Sequence, residues 1–380
     1  MNEQLQKYIN DWYVQYHTTT EGQLYFQFHI TNTCEGRCQH CYFNELPADQ
    51  QVFVDFELIK RTIDQIVQYS RELGLKPTID FTGGDPLLHP KIDEVLLYAH
   101  DKGASIGLKC CSNKINDKTV HLFKLANIER VCLSLEGMKT FNDMMRGKGD
   151  FDRTVNALSL LKKEGFYVRI KMTISKLNKH QVAPLMLFLI NNDFQIDSFM
   201  WARYWTKENT KLCVSKMEYE QLIKQQFELL DDLYNSPQFY VTRNNKQIPK
   251  LFYDFKEHLW YPFLVEKGCI YKENKETFEK KRYSTGCTIA KNVYVIDFNG
   301  DVLKCRKMDS SLIGNIKNSG IPQIVEGPLH EAFVRRITDN MCSQCNYFNS
   351  CGGCRAMSEA ILGDELAIDP CCGDSLYREA

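Results

Sequence analysis

Three cysteines, Cys34, Cys38 and Cys41, stand within eight residues of the stretch Ile30-Thr-Asn-Thr-Cys-Glu-Gly-Arg-Cys-Gln-His-Cys-Tyr-Phe43. The spacing brings three thiolates close enough to hold three irons of one cubane and leaves the fourth iron without a protein ligand. A [4Fe–4S] cluster normally takes four Cys thiolates, so the loop is either an incomplete site or one kept open for chemistry. A disulfide framework and a zinc knuckle are the alternatives for such a triplet. The opening Met-Asn-Glu-Gln-Leu-Gln-Lys has no apolar core of a signal peptide. A reducing cytoplasm is therefore expected, where the 16 cysteines serve better as metal ligands than as disulfides.

With 380 residues, 43% of them hydrophobic, the chain is long enough for about two domains. Its 47 basic and 48 acidic residues leave a net charge of −1, which points to neither nucleic acid nor a membrane surface as partner. No run approaches the roughly 18 apolar residues of a membrane span.

Strand-like and helix-like periods then alternate. Strands are predicted at 24–30, 78–82, 104–110, 130–135, 166–174 and 195–201. Helices are predicted at about 55–73, 90–102, 117–126, 151–164 and 179–192, several closed by Gly (Gly74, Gly103, Gly165). Six β-then-α units imply parallel strands with right-handed crossovers and hence a partial (β/α)6 TIM-like barrel. Such barrels build their sites at the C-terminal strand ends. The cysteine loop follows the first strand, Thr82-Gly83-Gly84-Asp85-Pro86 the second, Ser112-Asn113 the third, and Ser134-Leu135-Glu136-Gly137 the fourth.

Together these motifs resemble radical S-adenosylmethionine (SAM) enzymes, which have this cysteine spacing followed by an aromatic residue, here Tyr42. In that family the matching Gly-Gly-Glu-Pro binds the SAM amino group, which assigns Gly83, Gly84 and Asp85, with Asp in place of Glu. The resemblance implies that Ser134, Glu136 and Arg146 hold the ribose and carboxylate of SAM. An Arg suits a carboxylate because it makes a bidentate pair. Arg203, after the sixth strand, is a further candidate.

The C-terminal cysteines run Cys287, Gly300, Cys305, then Cys342-x2-Cys345-x5-Cys351-x2-Cys354 and Cys372. With Cys-Gly-Gly-Cys-Arg-Ala at 351–356, this is similar to the SPASM domain, departing from it in the x2 gap between Cys351 and Cys354. The resemblance implies two auxiliary [4Fe–4S] clusters. Cys342, Cys345, Cys351 and Cys372 would hold the outer one. Cys287, Cys305 and Cys354 would hold the inner one, with Cys269 as its possible fourth ligand or else an open iron. Two zinc ribbons are the alternative. Asn299-Gly300 predicts a type I′ hairpin turn. Cys110, Cys111, Cys132, Cys213 and Cys371 are expected to be core or unassigned. The domains are then 1–23 as an N-terminal extension, 24–205 as the barrel, 206–268 as a helical linker and 269–380 as the iron–sulfur domain.

The resemblance further implies three [4Fe–4S] clusters, bound SAM, and its reductive cleavage to a 5′-deoxyadenosyl radical, with a flavodoxin or ferredoxin type donor. Auxiliary clusters suit a net oxidation, and the leading expectation is a thioether or carbon–carbon cross-link in a ribosomally made peptide. Sulfatase maturases carry Asp where Arg306 stands, which argues against that activity. Only about 23 residues precede the first strand, so a leader peptide would need a separate binding protein or the 206–268 segment. The other expectations are peptide epimerisation and a small-molecule enzyme, either a sugar epimerase or dehydrogenase or a modifier of tetrapyrrole side chains. Substrate, bond formed, catalytic acid or base and oligomeric state stay open.

Overall fold

The structure is a computed structural model that describes residues 1–36, 38–41, 51–205, 209–270, 287, 289, 292–343, 345, 347–348 and 351–372. Helix α1 (Glu3–Glu21) leads into β1 (Gln23–Thr31), α2 (Phe56–Glu72), β2 (Lys76–Gly83), α3 (Ile92–Asp101), β3 (Ser105–Lys109), α4 (Asp117–Leu125) and β4 (Arg130–Ser134). Next come α5 (Lys139–Arg146), α6 (Asp150–Lys163), β5 (Val168–Ile174), α7 (Val182–Asn191), β6 (Ile196–Arg203) and α8 (Lys216–Asn235). The chain continues through β7 (Tyr240–Arg243), β8 (Lys246–Pro249), β9 (Leu251–Tyr253), α9 (Trp260–Glu266), β10 (Val293–Ile296), β11 (Asp301–Leu303) and β12 (Leu312–Asn315). Helices α10 (Ile321–Val325), α11 (Pro328–Thr338) and α12 (Arg355–Leu362) follow. All six predicted strands form within two or three residues of their expected bounds.

The chain divides into two units. One holds Gly22–Met172 with Asn292–Val334, and the other holds Met1–Glu21, Thr173–Lys291 and Arg335–Ala380. In the first, β1 to β5 lie side by side in chain order and parallel. β10 adds in parallel on the free side of β1, and β11 and β12 follow antiparallel. No pattern in the sequence announces that β10 pairs with β1, with Val293 opposite Tyr25, because the pairing is set by burial rather than by local chemistry.

The strand register separates two faces. Phe26, Phe28, Ile79, Phe81, Ile106, Leu108, Val131, Leu133, Val168 and Ile170 are buried on the side packed by α2, α3 and α6. Each contributes about 1.5–3 kcal/mol by leaving water. Tyr25, Gln27, His29, Asp80, Lys109, Arg130, Cys132, Arg169 and Lys171 alternate with them and share the opposite face. Parallel strands packed on both sides are ordinarily apolar throughout, so this polar face marks a place built for something other than packing.

At its centre Asp80 accepts from Tyr25 Oη at 2.5 Å and pairs with Arg130 at 2.5 Å and Lys109 at 3.2 Å. Gly107, beside it, has no space for a side chain, since an added Cβ would stand 2.2 Å from Asp80 Oδ1. Burial alone would raise the Asp80 carboxyl, but Lys109, Arg130 and the Tyr25 hydroxyl outweigh it and hold it well below the usual range. A depressed carboxyl stabilises the fold above its unfolded value near 4, and that contribution is lost as pH falls through the folded value. Asp80→Asn is expected to cost about 3 kcal/mol at pH 7, because it leaves two cations without their carboxylate. The gap between wild type and variant should shrink steadily below about pH 4. Urea unfolding at a series of pH values checks this, and a gap constant down to pH 3 would contradict it.

The turn after β10 differs from the expected type I′. Asp297 N donates to Asp301 O, Gly300 N to Asp297 O (both 2.8 Å), and only Gly300 has positive φ, at 94°. This is a three-residue loop with Gly in the left-handed position, the type I turn plus bulge that competes with type I′ in hairpins. Asn299 instead binds Asp301 through both its amide groups, which holds it out of the left-handed region.

The second unit is built on aromatics. Trp201, Tyr219, Tyr253, Phe255 and Trp260 pack in mutual edge and tilted contacts, geometries that the ring quadrupoles favour. Helix α1 belongs here: Tyr8 Oη donates to Tyr253 O at 2.6 Å and Trp12 meets Phe255 edge-on. The 206–268 segment holds α8 and α9 but also β7, β8 and β9, and β9 runs parallel to β6.

Candidate cluster and cofactor sites

The strand ends of the first unit meet as the barrel pattern requires. Gly84 N donates to Thr31 O at 2.8 Å and Asp85 N to Thr33 O at 2.7 Å, which ties the loop after β2 to the start of the cysteine loop. A Cβ at Gly84 would lie 2.2 Å from Thr33 O, and Gly83, at φ 135°, would put one 2.0 Å from Thr31 O. The two backbones therefore approach as only glycine permits. Cys34 Sγ lies 3.7 Å from Cys111 Sγ, Glu35 pairs with Lys114 at 2.6 Å, and Gln39 N donates to Met145 O at 2.9 Å. The cysteine loop is thus fastened to the ends of β2, β3 and α5.

Glu136, buried at the end of β4, accepts from His40 Nε2 at 3.2 Å and from Arg146 Nη1 at 3.4 Å. Arg146 also donates to Asp150 at 3.0 Å. Burial opposes its charge, but the neighbouring Cys38, Glu136 and Asp150 keep the guanidinium firmly protonated. Arg146 is therefore an internal cation beside the cysteines. Cys111 lowers the Cys34 thiol to about 6 by hydrogen bonding, the largest of several effects. Burial pushes Cys38 up to about 11. Asp85 is raised by burial to about 7, against the Leu87 and Cys111 amides.

Several polar atoms on this rim are buried without a hydrogen-bond partner among the described residues: Thr33 Oγ1, His40 Nδ1 and Asp85 Oδ2. A polar cofactor seated there would satisfy them, and three soft thiols suit iron. Ser134 ends β4 beside this group. Tyr42 lies outside the described residues. His40 and Cys111 were not among the expected site residues. His40 stands inside the cysteine triplet, which was the available signal, whereas Cys111 shows itself only when β3 is laid beside β1 and β2.

In the second unit Cys342, Cys345, Cys351 and Cys372 line one pocket with Leu259 and Pro262. The four cysteines assigned to the outer cluster are thus gathered round one space, and Arg355 Nη2 reaches Cys342 Sγ at 3.5 Å. Among the described residues no three His, Cys, Asp or Glu side chains close round a single-ion position. Asp369, buried at the bottom of this region, takes a bidentate pair from Arg203 at 2.7 and 2.8 Å and accepts from Cys354 N at 2.8 Å and Cys371 N at 2.9 Å. Arg203 and the two amides hold its carboxyl at about 2, against the effect of burial. Arg203, with Glu257 on its other side at 2.5 Å, is committed to this network.

Cys287 and Cys354 both lie within hydrogen-bonding range of the His258 imidazole. Cys269 faces another way: its buried Sγ lies 3.1 Å from Met1 Sδ, and burial raises it to about 11. Cys305, in the first unit, is held through its backbone by Ser311 Oγ. Cys213 and Cys371 are core: their thiols turn to Tyr204 O and Val214 O, both at 3.6 Å.

A family model of the Radical SAM superfamily matches residues 28–189, and one of the SPASM iron–sulfur cluster-binding domain matches residues 287–354. The chain carries a radical SAM domain followed by a SPASM domain. These two domains imply a SAM-binding [4Fe–4S] cluster and auxiliary clusters. The radical SAM/SPASM chain is 24% identical to Fe-coproporphyrin III synthase of Methanosarcina barkeri, over 91% of its own length and 86% of that protein. It is 22% identical to the antilisterial bacteriocin subtilosin biosynthesis protein AlbA of Bacillus subtilis, over 87% of its length and 67% of AlbA. Its fold matches AdoMet-bound anSMEcpe with a TM-score of 0.69 at 17% identity, over 92% and 90% of the two chains. Among the described residues no helix is long and apolar enough to cross a membrane.

Proposed function

We propose that this radical SAM/SPASM enzyme oxidises a ribosomally made peptide, closing a thioether or carbon–carbon cross-link. Cys34, Cys38 and Cys41 would hold the first cluster, and the Gly83–Gly84 backbone, Asp85, Ser134, Glu136 and Arg146 would hold SAM. Cys342, Cys345, Cys351 and Cys372 would hold the outer auxiliary cluster, and Cys287, Cys305 and Cys354 three irons of the inner one. When bound, SAM and its cluster supply a radical able to take an unactivated hydrogen. The protein's own part is to fasten the cysteine loop, to keep the Arg146 cation beside Cys38, and to offer substrate a polar sheet face.

One feature of that face points to a substrate that carries a carboxylate. Lys171 is held well below the usual ammonium range, first by burial and then by the cations of Arg306 and Lys307, with Lys109 adding to them. Cations gathered on a half-buried face favour a carboxylate, whose charge relieves their mutual repulsion. A peptide can bring one as an acidic residue or as its C-terminus. Two auxiliary clusters suit the net removal of electrons, and a relative named for bacteriocin biosynthesis, AlbA, supports a peptide. A separate leader-binding protein and a flavodoxin or ferredoxin type donor would complete the system.

A second reading is favoured by the match to Fe-coproporphyrin III synthase across most of both chains: a tetrapyrrole propionate would also satisfy Lys171 and its neighbours. Mass spectrometry separates the two. With SAM, reductant and the peptide encoded beside its gene, the enzyme should make a product about 2 Da lighter, the loss of two hydrogens. A tetrapyrrole losing about 46 Da, one carboxyl and one hydrogen from a propionate chain, with the peptide unchanged, would establish the second reading. An unchanged peptide mass with deuterium taken up from solvent at one residue would indicate epimerisation.

A further inference from the structure

We propose that His258 ligates the inner auxiliary cluster, in the place that the family pattern leaves to Cys269. The proposal rests on reading Cys287 and Cys354, both in the second unit, as thiolates of that cluster. His258 is the imidazole that stands beside both of them. Its Nδ1 is buried and has no hydrogen-bond partner among the described residues, an arrangement that costs free energy unless a ligand completes it. Cys269, by contrast, has its thiol against Met1 Sδ at 3.1 Å.

The backbone that carries His258 is fixed. Glu257 pairs with Arg203 at 2.5 Å, Trp260 N donates to Glu257 O at 3.1 Å, and Leu259 is fully buried. The residue before His258 is therefore tied to the same Arg203 that grips Asp369, whose carboxylate positions the Cys354 amide. A neutral imidazole in place of a thiolate leaves the cluster one negative charge poorer, and His ligation raises the potential of iron–sulfur centres for that reason. A higher potential makes the inner cluster the better acceptor for an electron left by an oxidation.

The test uses full-length protein carrying Cys34→Ala, Cys38→Ala and Cys41→Ala, so that only auxiliary clusters remain, prepared with natural and with 15N-labelled histidine. After dithionite reduction, pulsed EPR should show a strong nitrogen coupling on one cluster that changes with the label. In His258→Cys the coupling should vanish while about eight irons remain, and the potential of that cluster should fall. Cys269→Ser should keep both the irons and the coupling. A protein with about eight irons but only weak nitrogen coupling, a coupling that survives His258→Cys, or loss of about four irons in Cys269→Ser would each overturn the assignment. Failure to bind iron at the C-terminal cysteines at all would instead overturn the cluster reading on which it rests. None of these readouts depends on the identity of the substrate.

Discussion

Cys38→Ala should reduce 5′-deoxyadenosine release to the level of an enzyme-free control, while Cys345→Ala still cleaves SAM. The first loop has three thiols for one cluster, and removing one leaves two irons without a protein ligand, too few to retain a cubane that already depends on SAM for its last position. Fully reconstituted wild type should carry about twelve irons and the triple variant at Cys34, Cys38 and Cys41 about eight. Cys345 belongs to the pocket in the other unit, with Cys342, Cys351 and Cys372, and its loss should block turnover of substrate without blocking the cleavage of SAM. Iron analysis and liquid chromatography of the nucleoside product check both halves. A folded Cys345→Ala protein that releases no 5′-deoxyadenosine would contradict this division, and stoichiometric zinc in place of iron in anaerobically purified wild type would contradict the site itself.

Asp369→Ala is expected to be the most destabilising single change outside the cysteines. The carboxylate is buried, pairs with Arg203 through both oxygens, and accepts from the amides of Cys354 and Cys371. Removing one partner of a buried pair costs about 3–5 kcal/mol, here towards the lower end because Glu257 still faces Arg203. It also frees the segments that carry Cys354 and, through the amide of its neighbour Cys371, Cys372. Loss of about four irons should therefore accompany the drop in stability. The triple change Arg203→Met, Glu257→Leu and Asp369→Leu separates the two effects, since apolar replacement of a whole buried ion pair or triad is often neutral or stabilising, and it takes in the Glu257 that also faces Arg203. It should recover the thermal midpoint but not the iron. Recovery of both would mean that Asp369 only balances Arg203, and full stability of Asp369→Ala would remove the network from any role.

Much of the first site was legible because its chemistry is local. Eight residues contain all three thiols of the triplet, and glycine at 83 and 84 is demanded by the approach of Thr31 and Thr33. The alternation of apolar and polar residues also placed six strands, since burial on one face and a polar opposite face both repeat with period two. The turn at Asn299-Gly300 was misjudged because two hairpin geometries accept the same dipeptide, and the hydrogen bonds of Asn299 to Asp301 decide between them. Arg203 followed a strand as a cofactor-binding arginine would, yet its partner Asp369 lies 166 residues away, and no sequence pattern joins them.

The sequence by itself determined the cysteine-rich loops, the parallel α/β order and the family, because thiol spacing, glycine positions and strand periodicity act over a few residues. Only the tertiary structure decided which groups stand beside those loops. Cys111 came to Cys34, His40 and Arg146 to Glu136, and His258 to Cys287 and Cys354. The reason is physical: a lone His or Cys leaves no periodic or spaced trace in a chain, and its partners are set by the packing of distant elements that share a core.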